Sequence, residues 1–145
     1  MTHYLDTSLV IAALTPETST EAVHAWLSDR RHDVLGVSDW TVAETASALS
    51  MKIRLGHLNE DQRRDVDEVL ATWLDASLER VPLPRAAYDD AARLLRRHAT
   101  GLRAGDALHL ATSGLHGARL VTLDRRLAEA GTTLGLAAVF VSARS

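Results

Sequence analysis

The chain contains no cysteine, which excludes disulfide bridges and thiolate-held zinc and makes the reducing cytoplasm the expected setting. It has no apolar run near the roughly 18 residues that a membrane-spanning helix requires, so no membrane association is expected. The opening Met1-Thr2-His3-Tyr4-Leu5-Asp6 has neither the basic start nor the apolar stretch of a secretory leader. Neither a GxxxxGK(S/T) loop nor a GxGxxG turn occurs, so nucleotide binding by those routes is unsupported. Internal repeats, low-complexity tracts and linkers are also missing, and a single domain over 1–145 is expected.

What is present suits a globular protein. Hydrophobic residues make up 46% of the chain, enough to bury a core without covalent staples. The net charge of −3 argues against a nucleic-acid surface only at first sight. With four of the 19 acids set aside for a metal site, 15 remain against 16 Lys and Arg. Charge alone therefore neither supports nor excludes a nucleic-acid partner.

Short apolar strands alternate with amphipathic helices. Strands are predicted at 4–5, 34–37, 79–81, 120–123 and 138–141. Helices are predicted at 8–14, from Thr18 or Thr20 to 28, from Ser38 or Asp39 to 55, at 59–78, 85–98 and 104–116, and from Asp124 to 130. Asn59 with Gln62 reads as a capping box, and Gly56, Gly117 and Gly131 read as helix stops. The pattern gives an α/β fold: a mostly parallel five-stranded sheet with helices on both faces. Such sheets place their sites beyond the C-terminal ends of the strands.

Two acids fall at such ends, Asp6 after the first strand and Asp124 after the strand at 120–123. Two more lie in helices otherwise made of small or apolar residues: Glu44 in Val42-Ala43-Glu44-Thr45-Ala46, and Asp106 in Ala104-Gly105-Asp106-Ala107-Leu108-His109. An unpaired carboxylate in such surroundings is costly to bury. Four together repel one another, and a divalent cation removes that repulsion. Magnesium prefers oxygen ligands and can activate water for phosphodiester cleavage. Thr7, Ser8 and Thr122 add hydroxyls beside these acids, and Thr122 lies two residues before Asp124, on the same strand face. Each acid also has an ordinary explanation. Asp6 and Asp124 suit helix N-caps, Glu44 a solvated helix position, and Asp106 a favourable place in a helix dipole.

In this order and spacing the motifs resemble those of PIN-domain nucleases, and in particular VapC-type toxins of bacterial toxin–antitoxin pairs. Tyr4-Leu5-Asp6-Thr7-Ser8, Val42-Ala43-Glu44, Gly105-Asp106-Ala107-Leu108-His109-Leu110-Ala111 and Leu120-Val121-Thr122-Leu123-Asp124 carry the resemblance across almost the whole chain. It implies a PIN-like fold and a magnesium-dependent endoribonuclease in which manganese can substitute. Asp6, Glu44, Asp106 and Asp124 would take the metal-binding and catalytic roles. It also implies an RNA substrate, a cognate antitoxin whose tail enters the site, and a homodimer. Some members carry a further acid after the fourth motif. Here Arg125 and Arg126 occupy those positions.

Arg103, Arg125 and Arg126 flank the proposed site and are candidates for RNA phosphate, as surface arginines are equally often merely solvated. Lys52 and Arg54 are weaker candidates. His109 lies three residues after Asp106 without a second histidine to complete a zinc motif, so packing or a hydrogen bond is expected. Trp26, Trp40 and Trp73 read as core or interface residues. Arg93, Arg96, Arg97 and His98 read as a solvated helix face. Two other functions compete. One is a phosphatase with Asp6 as nucleophile, which Ser8 disfavours by standing where a second aspartate is wanted. The other is a PIN-like module that binds RNA or protein without cleaving.

Metal binding to the folded site should be visible as stabilisation. Magnesium is expected to raise the melting temperature, and Asp106→Asn to blunt that rise; an equal rise in both proteins would count against a metal at these acids.

Overall fold

The computed structural model describes residues 1–143, so the domain expected over 1–145 extends by Arg144 and Ser145 beyond the described residues. In chain order the elements are β1 (His3–Leu5), α1 (Thr7–Leu14), α2 (Thr20–Asp29), β2 (Leu35–Ser38), α3 (Asp39–Arg54), α4 (Glu60–Ala76) and β3 (Leu78–Val81). There follow α5 (Arg85–Leu95), a 3₁₀ turn (His98–Thr100), α6 (Ala104–Leu115), β4 (Arg119–Thr122), α7 (Arg125–Thr133) and β5 (Ala138–Phe140).

Side-chain caps start many of the helices. Asp6 accepts from the Leu9 amide at the head of α1, and Asp124 accepts from the Arg126 and Leu127 amides at the head of α7. Ser38 and Thr41 form a reciprocal capping box on α3, and the Asn59–Gln62 box on α4 is formed as the spacing predicts.

All described pairings in the five-stranded sheet are parallel, and the strand order is β3-β2-β1-β4-β5. Neighbouring residues of the central strands face opposite ways. Leu5 and Val121 enter one core with Leu9, Val10, Val23 and Val37, against which Trp26 and Trp73 pack. Tyr4 and Leu120 enter another with Leu110 and Leu127. Helices α1, α2 and α4 therefore cover one face, and α6 and α7 the other. Among the described residues no helix is long and apolar enough to cross a membrane.

Several boundaries differ from expectation; α7, expected to stop at Gly131, runs through it to Thr133, where the Leu134 amide reaches back to Ala130. Leu78, assigned to the apolar stripe of the preceding helix, opens β3 and pairs with Leu35. Ser77 leaves the helical region at φ −138° and so ends α4 earlier. The helix expected to reach His98 stops at Leu95, and His98 instead opens the 3₁₀ turn, closed by Gly101 at φ +68°. Arg93, Arg96, Arg97 and His98 are solvent-exposed, as expected.

The chain lays β1, β2 and β3 outward in one direction, then returns to place β4 on the other side of β1. The crossover point thus lies between β1 and β4, and Asp6 and Asp124 follow those two strands. Leu110 is fully buried beneath this junction and touches Gly131, where an added Cβ would lie 3.0 Å from it. Leu110→Ala is expected to cost about 2–5 kcal/mol in urea unfolding; a loss well under 1 kcal/mol would mean that the α6–sheet packing is misread.

Candidate active site

Asp6 is buried, at 4% exposure, yet neither carboxylate oxygen lacks a donor. Oδ1 accepts from the Ser8 hydroxyl at 2.7 Å and the Leu9 amide at 3.1 Å, and Oδ2 accepts from the Thr122 hydroxyl at 2.5 Å. The hydroxyls are themselves oriented. Ser8 Oγ accepts the Leu123 amide at 3.1 Å and Thr122 Oγ1 accepts the Asp124 amide at 2.9 Å, so each hydroxyl hydrogen is free to point at Asp6. Burial raises the Asp6 pKa from the usual carboxylate value; the nearby His109 and these hydrogen bonds pull the other way without cancelling it.

Glu44 approaches from α3. Its Oε1 accepts from the Thr7 hydroxyl at 2.6 Å and is 2.5 Å from His109 Nε2. Burial alone would raise its pKa, but the His109 and Thr7 hydrogen bonds outweigh burial and leave it below the usual value. The other oxygen, Oε2, lies against α6, where a Cβ on Gly105 would be 3.1 Å from it. Thr7 therefore serves Glu44, although its neighbour in sequence is Asp6.

Asp106 sits in the first turn of α6, half-buried. Its pKa is raised chiefly by burial, opposed by a backbone hydrogen bond at Arg103 and reinforced by the charges of Asp124 and Glu44. Asp124 is exposed at the head of α7, with Oδ1 engaged in capping. The capping explanation thus holds for both Asp6 and Asp124, and in neither case does it take the acid away from this end of the sheet.

A cavity of about 240 Å³ joins Asp106 and Asp124 with Arg103, Arg126, Thr100 and Leu127. Asp124 also lines a second groove with Thr7, Ser8 and Arg125, and a third carries Thr7, Glu44, Met51 and Leu55. Arg103 and Arg126 therefore face the acids. Arg125 lies over the Phe140 ring, 4.5 Å from its centroid, as well as lining the groove. Lys52 is paired with Glu17 at 2.9 Å.

These donors suit a hard divalent cation, since all are carboxylate oxygens. The repulsion that Asp124 and Glu44 exert on Asp106 is what a cation would relieve. Even so, among the described residues no group of three or more His, Cys, Asp or Glu side chains converges closely enough to hold a metal ion. The structure brings the four acids to one end of the sheet, with Glu44, Asp106 and Asp124 lining neighbouring pockets and Asp6 buried beneath them, but not into a closed coordination shell.

The residues that the sequence reading did not assign to the site are Tyr4, Ser38 and Thr41. The Tyr4 hydroxyl lies 2.7 Å from His109 Nδ1, 2.8 Å from Ser38 Oγ and 3.1 Å from Thr41 Oγ1. The available signal was a tyrosine in a short apolar strand, whose hydroxyl needs partners once buried. His109 makes the hydrogen bonds expected of it, to Tyr4 and Glu44.

The PIN domain family model matches residues 3–132 of the chain. The chain belongs to the PIN domain family. Its fold is similar to that of FitAcB from Neisseria gonorrhoeae, with a TM-score of 0.69, 23% identity and coverage of 94% of this chain and 95% of that one. It is similar too to VapC20 from Mycobacterium tuberculosis, described as a sarcin-ricin loop cleaving toxin, with a TM-score of 0.70, 20% identity and coverage of 90% and 95%. DNA-bound VapBC from Salmonella typhimurium matches with a TM-score of 0.72, 16% identity and coverage of 97% and 98%. At these identities the likeness is one of fold. No curated protein matches the chain in sequence.

The raised pKa of Asp106 in this PIN domain fixes a sign. A carboxyl whose folded value exceeds its unfolded value costs nothing below the unfolded value. The cost grows as pH rises through the folded value and is complete above it. Asp106→Asn is therefore expected to raise the melting temperature in metal-free buffer at pH 7, with the gain vanishing on acidification to about pH 3. A gain that persists at low pH would show that the carboxylate's charge is not its cause.

Proposed function

We propose that this PIN domain is a magnesium-dependent endoribonuclease, the toxin of a type II toxin–antitoxin pair, acting as one nuclease unit over 1–145. The observation that carries the reading is the gathering of Asp6, Glu44, Asp106 and Asp124 at the end of the sheet where β1 and β4 diverge, with Asp106 repelled by two of the others and the last three acids lining neighbouring pockets there. Membership of the family and the likeness to VapC and Fit proteins support it.

In this reading the four acids hold Mg2+, with Mn2+ able to substitute. When bound, the metal supplies an activated water and neutralises charge at the leaving oxygen. The chain's own residues do the rest. Ser8 and Thr122 donate to Asp6, fix its carboxyl group in place and oppose the effect of its burial. Thr7 and His109 occupy Glu44 Oε1 and leave Oε2 as its ligand atom. Arg103 and Arg126 bind the RNA phosphates beside the acids, and Arg125 does so in the neighbouring groove. RNA as substrate places the protein in the cytoplasm.

Two partners follow. Exposed Met51 and Leu55 line the groove next to Glu44 and offer an apolar footing for the cognate antitoxin's tail. The amphipathic α4, which carries exposed Val69, offers a surface for a second copy in a homodimer. The open arrangement of the acids favours one competing reading, a PIN-like module that binds RNA or protein without cleaving it.

RNA cleavage assayed with magnesium and with EDTA separates the readings. Cleavage is expected in magnesium, with loss in EDTA and in Asp6→Asn. RNA bound but intact in every condition would replace the nuclease with the binding module. Phosphate released from a small phosphoester while RNA stays whole would favour the Asp6-nucleophile phosphatase.

A further inference from the structure

Buried polar side chains on four elements form a continuous chain that ends on a proposed metal ligand. It begins at Ser38 and Thr41, 2.8 and 3.1 Å from the Tyr4 hydroxyl, and passes to His109 Nδ1 at 2.7 Å. From His109 Nε2 it reaches Glu44 Oε1 at 2.5 Å. Tyr4 is fully buried, His109 is 3% exposed, and Ser38 and Thr41 are buried beside them.

The donor and acceptor roles along this chain are fixed by its end. An ionised carboxylate only accepts, so the hydrogen of the last contact belongs to His109 Nε2. In the neutral ring Nδ1 is then an acceptor, and the Tyr4 hydroxyl donates to it. Tyr4 in turn receives hydrogens from the Ser38 and Thr41 hydroxyls. Because Ser38 and Thr41 are locked together as the capping box of α3, the start of the chain is rigid. Thr7 adds a second donor to the same Oε1, so both hydrogen bonds fall on one oxygen. Oε2 is left toward Gly105, the one position of α6 beside Asp106 with no side chain in the way.

We infer that Tyr4 and His109 are positioning residues for Glu44. The buried Tyr4–His109 pair selects the Nε2–H form of the ring, pins Glu44 Oε1, and presents Oε2 to a divalent cation at the groove. Neither residue touches metal or RNA. The inference rests on the metal-dependent reading above.

The packing alternative is that the pair merely satisfies buried polar groups. Mn2+ binding to the metal-stripped protein, followed by loss of the free-ion paramagnetic resonance signal, tells the two apart, with RNA cleavage measured alongside. His109→Leu is expected to weaken Mn2+ binding by about 10- to 100-fold. His109→Gln, whose amide nitrogen can take the place of Nε2, is expected to recover most of that loss. Tyr4→Phe should fall between. In all three kcat should drop while KM for RNA holds. A folded His109→Leu that binds Mn2+ as tightly as the unaltered protein overturns the inference. Where His109→Leu does not fold, Tyr4→Phe decides, and unchanged Mn2+ binding there overturns it equally. Glu44→Gln separates the two levels. If it leaves Mn2+ binding unchanged, or if the unaltered protein binds none, the metal-dependent reading itself falls.

Discussion

The structure depends on keeping one buried carboxylate satisfied. Asp6 follows the central strand directly, so its charge lies inside the molecule rather than at its rim. Two hydroxyls, Ser8 and Thr122, answer it, and each is aimed by accepting a backbone amide from the end of β4. The same few bonds cap α1, tie the ends of β1 and β4 together, and hold Asp124 at the start of α7. An ion-bearing group thus serves as the joint between two strands and two helices. Burial of such a group is unfavourable unless its oxygens are engaged, and here both accept hydrogen bonds.

The other acids are arranged around that joint with graded freedom. Glu44 is half-buried and held through one oxygen by two donors, which keeps it ionised. Asp106 is half-buried and repelled by its neighbours, which favours its proton. Asp124 is exposed and partly used as a cap. The electrostatic strain therefore collects on Asp106, opposite two arginines that line the same cavity. Among the described residues the four side chains do not converge to a coordination shell.

Much of this was legible in the sequence because the periodic signals were local. Val-, Leu- and Ala-rich strands ended by acids, and helices opened by Ser38, Asn59 or Asp124, can be read from a few residues at a time. The failures were also local. Leu78 continues the helical spacing of Leu70 and Leu74, and only the pairing with Leu35 moves it into a strand. The stretch from Arg93 to His98 is polar enough to continue a helix face, and nothing in it marks the break after Leu95. Within the site, adjacency in the sequence points to Ser8 as a partner of Asp6 but not to Thr122, which donates to Asp6 from 116 residues away. It misdirected Thr7, which turns to Glu44, 37 residues away. The link from Tyr4 to His109 spans 105 residues and leaves no periodic trace, so only the fold reveals it.

The missing side chain at Gly105 has a practical corollary. An alanine there would bring a methyl group to 3.1 Å from Glu44 Oε2 and 3.3 Å from the Trp40 ring, while every acid and every hydroxyl stays in the sequence. The helix would keep a better helix former at that position, so the crowding falls on the Glu44 carboxylate and not on the scaffold. That position is therefore a dial rather than a switch. Residues of increasing bulk at 105 would displace the Glu44 carboxylate in graded steps, with every acid chemically whole.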